Sequence, residues 1–101
     1  MFDEDLQFII DCLPLTELLC QLAEEASELA QAALKLRRCY DCTNPVRVPK
    51  EDAMKQLHEE VADVLLSLEA LGMGDAAHTK IYGEIMERKI HRWAESLEGN
   101  E

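Results

Sequence analysis

A chain of 101 residues with 21 Asp and Glu against 10 Lys and Arg carries a net charge of −11, and no broad basic face for a nucleic-acid polymer can be assembled from it. Its hydrophobic content of 48% is that of a globular protein rather than a disordered one, and its length suits one domain, residues 1–101, near the lower limit for burying a core unaided. With only 4 Gly and 3 Pro and an abundance of Ala, Leu and Glu, the composition predicts an all-α fold.

Residues 3–12 read as a short helix with Leu6, Ile9 and Ile10 on one side. Pro14 interrupts it and suits the first position of the next helix, where its missing N–H costs nothing. From there to about Arg38 the pattern is helical, with Leu15, Leu18, Leu19, Leu22, Ala26, Leu29, Ala33 and Leu36 as an apolar stripe. Residues 39–49 hold two prolines, Asn and Thr without a helical period, and read as a loop. Pro49 opens a third helix running to about Leu71, and Gly72 and Gly74 end it. Asp75 can cap a fourth helix, from about residue 76 to Leu97. No run approaches the roughly 20 apolar residues of a membrane span, and the start of the chain lacks the pattern of a signal peptide. The expected compartment is therefore the cytoplasm, with Cys12, Cys20, Cys39 and Cys42 as reduced thiols. Cys39 and Cys42 form a single CxxC without a second pair at zinc spacing, and two plain thiols near a helix end is the better reading.

The acids are the informative feature. Glu24-Glu25-Ala26-Ser27-Glu28 in the second predicted helix is echoed by Glu59-Glu60-Val61-Ala62-Asp63 in the third. Each segment places acids three residues apart, one turn apart on a helix. If the helices pack side by side, Glu25, Glu28, Glu60 and Asp63 can converge. Four carboxylates repel one another and raise each other's pKa, so their convergence points to a hard divalent cation, Mg²⁺ or Mn²⁺. Glu25 lies about 65° from the centre of the apolar stripe, with Glu28 further round on the same flank and Glu24 facing solvent. From Val61 to Leu71 only Asp63, Ser67 and Glu69 interrupt an apolar run, so the third helix is expected to be covered on most of its circumference. Glu60, Asp63 and Ser67 form a narrow polar strip on it. Either cluster alone reads as a solvated helix face. The two together, at matching offsets, favour a site.

On the fourth helix Tyr82, Ile85, Met86, Trp93 and Leu97 define an apolar face, and Lys89 falls within about 30° of its centre. Arg92 is one turn further on. Lys89 either snorkels to water or reaches, with Arg92, acids or phosphate oxygens at the mouth of the site. His58, His78 and His91 read as surface or boundary residues, and Trp93 as core.

LAEEASELAQAALKLRR followed by LHEEVADVLLSL resembles the MazG-like, all-α nucleotide pyrophosphohydrolase superfamily, whose signature is EExxE on one helix and ExxD on the next. The likeness covers roughly residues 18–93, and KIHRW resembles the Lys and Arg near the end of the family's last helix. It implies a four-helix core completed by homo-oligomerisation. The second and third helices carry more apolar surface than a lone bundle of 101 residues needs to cover, which itself predicts a homodimer or a dimer of dimers. The likeness also implies Mg²⁺-dependent cleavage of a nucleoside triphosphate to monophosphate and pyrophosphate. Carried onto this chain, the metal ligands are Glu25, Glu28, Glu60 and Asp63, the candidates for a catalytic base are Glu25 and Glu28, and the phosphate contacts are Lys89 and Arg92. The 39–49 loop either decorates the surface or shapes the nucleotide pocket. Two other readings stand beside this one: a phosphoribosyl-ATP pyrophosphatase-like enzyme, and a non-catalytic helical module that kept the fold without the activity.

Overall fold

A computed structural model describes residues 2–43 and 48–99. Among them the fold is all-α, with four helices: α1 (Phe2–Cys12), α2 (Leu15–Asp41), α3 (Lys50–Ala70) and α4 (Ala76–Gly99). No single helix among the described residues is long and apolar enough to cross a membrane. The chain divides after Leu71 into two compact units, the first holding α1, α2 and α3 and the second α4.

The helix boundaries follow local chemistry. The first unit turns by 116° between α1 and α2. Pro14 stands immediately before α2, and its carbonyl accepts from Glu17 and Leu18 N–H. Pro49 does the same ahead of α3 for Asp52 and Ala53. Both prolines thus sit one position earlier than the first helical residue. α2 runs past Arg38 to Asp41, so the first residues of the predicted loop are helical, and its cap is Cys42 in the left-handed region at φ 60°. Asp41 holds the exit by accepting from the Thr43 N–H and hydroxyl. The remainder of that loop, residues 44–47, lies outside the described residues.

α2 and α3 form an antiparallel hairpin. At its loop end, Lys35 Nζ donates to Gln56 Oε1 at 3.1 Å, the Cys39 thiol lies 3.5 Å from the Val48 carbonyl, and the Lys50 ammonium sits 4.3 Å from the Tyr40 ring centre. Among the described residues the buried ones are Leu18, Ala32 and Leu36 on α2 and Ala53 on α3. With the half-buried Leu22, Glu25 and Leu29 they trace the α2 seam: 18, 22, 25, 29, 32, 36, alternating four and three. The α3 seam contains Ala53, Leu57, Glu60, Val64, Leu68 and Leu71. This corrects two expectations. The packed stripe of α2 is rotated toward Ala32, leaving Leu15 and Leu19 exposed, and α3 is not covered around its circumference, since Val61, Leu65 and Leu66 are exposed. One flank of α3 faces α2, and within its own unit only α1 also reaches it.

In the second unit, Gly72 takes φ 71°, a region that favours glycine, and the Tyr82 hydroxyl donates to the Met73 carbonyl at 2.8 Å. Asp75 caps α4 as expected: its Oδ1 accepts the His78 N–H at 2.8 Å, and the His78 ring lies 2.7 Å from the same oxygen. Tyr82 and Ile85 are half-buried, whereas Met86, Ile90, Trp93 and Leu97 are exposed in a strip at helical spacing. Trp93 is 69% exposed, so the expectation that it is a core residue is not met. Among the described residues, none of its own unit covers the strip of α4.

Candidate metal centre

Because the two seams are antiparallel, Glu25 and Glu60 are drawn into the middle of the α2–α3 interface, while Glu28 and Asp63, each three residues on, stand at its exposed edge. One carboxylate oxygen from each of Glu25, Glu28, Glu60 and Asp63 can be chosen so that all four lie within 4.8 Å of one another. Those are the four acids singled out from the EExxE and ExxD spacing. Glu24 is exposed, and its Oε1 accepts from the Cys20 thiol.

The electrostatics of the cluster are unfavourable without a cation. Glu25 Oε2 and Glu60 Oε2 are both shielded from solvent and have no hydrogen-bond partner. Withdrawal from water, followed by repulsion from Glu28, Asp63 and Glu60, raises the Glu25 pKa above its ordinary 4.5. Glu60 is raised for the same leading reason, then by repulsion from Glu28 and a proton-sharing contact with it, and by Asp63 and Glu59. No Lys, Arg or His side chain forms an ion pair with these four acids among the described residues.

A cluster of this kind fits a divalent cation on two grounds. The donor set is entirely carboxylate oxygen, which suits a hard ion. Two of its oxygens are already stripped of water and point at no donor, a cost that a cation would remove. The four acids could hold a metal ion.

The two predicted phosphate contacts are on another unit. Lys89 and Arg92 lie on α4 and are exposed, while all four acids belong to the first unit. The CxxC thiols are free: Cys42 is exposed and Cys39 half-buried.

Reading the sequence in helical stripes missed a second feature of the first unit. An apolar groove of about 290 Å³ opens between α1 and the α2–α3 seam, with Leu6, Ile9, Leu18 and Leu66 among its walls and Gln21 and Ser67 as its polar members. The available signal was the spacing: Gln21 lies four residues before Glu25, and Ser67 four residues after Asp63. No family model, no curated protein and no solved structure matches this chain.

Proposed function

We propose that the chain is a Mg²⁺-dependent nucleoside triphosphate pyrophosphohydrolase of the MazG-like kind. The observation that carries the reading is the pair of desolvated, partnerless oxygens on Glu25 and Glu60 inside a four-carboxylate cluster. A solvated acidic face would leave those oxygens in water, and a structural ion network would give them basic partners.

Glu25, Glu28, Glu60 and Asp63 would hold the cation. Bound there, Mg²⁺ would offset the charge of the triphosphate and lower the pKa of a water. Glu28 and Glu25 are the proposed candidates for general-base work. Glu28 is exposed at the edge of the cluster, where an attacking water has access, and Glu25 lies one turn before it on the same helix. Attack on the α-phosphorus forms the new P–O bond, breaks the α–β anhydride and releases monophosphate and pyrophosphate. By the resemblance, Lys89 and Arg92 would be the contacts to the substrate's phosphate oxygens. The test is a melting-temperature titration with Mg²⁺ and a panel of nucleoside triphosphates, followed by identification of the products. A ligand that binds only the native state raises its stability. The expected result is a Mg²⁺-dependent rise, with pyrophosphate as a product. Absence of any such rise favours the non-catalytic helical module.

The assembly we propose is a homodimer or a dimer of dimers. Among the described residues four are buried, and two of them are alanines. Leu19, Leu34 and Leu65 are about half exposed or more, a distribution typical of helices that complete their core with another copy. Light scattering at micromolar concentration is expected to give two or four times the chain mass. A monomer there would sink the assembly.

A further inference from the structure

The groove beside the acids is a built space with a defined relation to them. The antiparallel register that brings Glu25 and Glu28 against Asp63 and Glu60 continues along the hairpin. It sets Gln21 near Ser67 and Leu18 near Ala70, one and two turns beyond the cluster, and these four residues line the groove. α1 supplies the opposite wall through Leu6 and Ile9, because the chain turns by 116° between α1 and α2. Among the described residues, no charged side chain lines it. Its volume of about 290 Å³ is at the small end for ligand pockets, which run from roughly 300 to 1,000 Å³. That is room for a ring system rather than for a whole nucleotide.

Its chemistry suits a flat heterocycle with apolar faces and a polar edge. The aliphatic walls take the faces. Gln21 and Ser67 make no side-chain hydrogen bond to another described residue, so both are available to a ligand. A carboxamide offers a donor and an acceptor side by side, the pattern that matches the adjacent acceptor and donor on the edge of a nucleobase. A bare polyphosphate or a sugar phosphate would have nothing to place there.

We propose that this groove is the base-recognition subsite of the enzyme, with the Gln21 carboxamide as the specificity-determining group and Ser67 as the second polar contact. The inference rests on the reading of the acids as the triphosphate–metal centre. The triphosphate lies along the acids, and the base enters between α1 and the α2–α3 seam one turn away.

Two variants and five probes test it. Gln21→Leu keeps a good helix former of similar size at an exposed position. Ile9→Trp fills the groove from the α1 wall. The probes are dATP, dCTP, dGTP, dTTP and inorganic tripolyphosphate, each with Mg²⁺, read by melting temperature and, for the nucleotides, by steady-state hydrolysis. The wild type is expected to discriminate among the four bases. Gln21→Leu should shrink the ratio of best to worst kcat/KM by about ten- to a hundredfold, the scale of a lost bidentate base contact. Ile9→Trp should weaken all four nucleotides. Neither variant should alter the Mg²⁺-dependent shift given by tripolyphosphate, which has no base. If nucleotides bind no better than tripolyphosphate, or if base preference survives both substitutions, the groove is not the subsite and the acid centre still stands. A protein that answers to none of the five probes removes the acid centre and the subsite together.

Discussion

Asp63→Asn is expected to eliminate Mg²⁺-dependent hydrolysis, lowering kcat/KM by about a thousandfold or more while leaving the helical content unchanged. A cation contributes several kcal/mol of transition-state stabilisation, and each ~1.36 kcal/mol is a factor of ten in rate. Asp63 stands at the exposed edge of the cluster, outside the α2–α3 seam. Its side chain does not hold the hairpin together, so loss of activity cannot be ascribed to loss of fold. Asparagine retains one oxygen ligand and the shape of the side chain but removes the charge that a hard cation requires. Lys89→Met serves as a contrast on the other unit. It should lower kcat/KM by about ten- to a hundredfold through a lost charge-assisted phosphate contact, with Mg²⁺ binding in the absence of nucleotide intact. Normal turnover by Asp63→Asn would sink the assignment of these acids as ligands.

The acids were legible in the sequence because their signal is local. Glu25 and Glu28, or Glu60 and Asp63, need only one helix to share a face, and the convergence of the two pairs needs only that consecutive helices pack antiparallel. The helix punctuation was legible for the same reason: Pro14, Pro49, Gly72 and Asp75 act through backbone geometry within a turn of themselves. What depends on distant surfaces was not legible. Ala26 and Ala33 fit the apolar period of α2 as well as Ala32 does, and only the position of α3 selects Ala32 for burial. The apolar run of α3 suggested cover on most of its circumference, yet composition cannot say whether that cover comes from the same chain. Trp93 poses the same problem on α4. The groove escaped because its walls come from three helices, and Leu6 and Ile9 reach Ser67 only through the turn between α1 and α2.

Exposed apolar residues and the acids also bear on the competing reading of a helical module without activity. Such a module needs the apolar faces, which an assembly partner would cover. It has no use for Glu25 and Glu60 inside the seam, where Leu or Ala would pack without the desolvation of two carboxylate oxygens. Keeping acids at both positions makes sense where the repulsion is relieved by a ligand.

That repulsion gives the last prediction, for Glu60→Gln. Glutamine keeps the length and shape of the side chain and removes its charge from the seam. The raised pKa values of Glu25 and Glu60 mean that the folded, metal-free protein binds these protons more tightly than the unfolded chain does. Stability from this source is therefore lost as pH rises from about 4.5 through the raised values, and gained as pH falls. Asp41 and Asp75 act in the opposite sense. Hydrogen bonds from Thr43 and His78 lower their pKa values below 3.8, so their contribution is lost only in stronger acid. Between those limits Glu25 and Glu60 set the slope. Metal-free wild type is expected to melt higher near pH 5 than near pH 8, and Glu60→Gln to flatten that slope and melt several degrees higher near pH 8. Saturating Mg²⁺ should reverse the slope in the wild type, because protons compete with the cation for the same oxygens. At a hundredfold excess over Kd the cation should raise the melting temperature by on the order of 10 °C. Glu60→Gln should lose most of that rise. The measurement is a set of melting curves for both proteins near pH 5 and pH 8, with and without Mg²⁺. If Glu60→Gln melts lower than the wild type near pH 8 in the absence of metal, the Glu60 carboxylate stabilises the bare fold and is not held there for a cation.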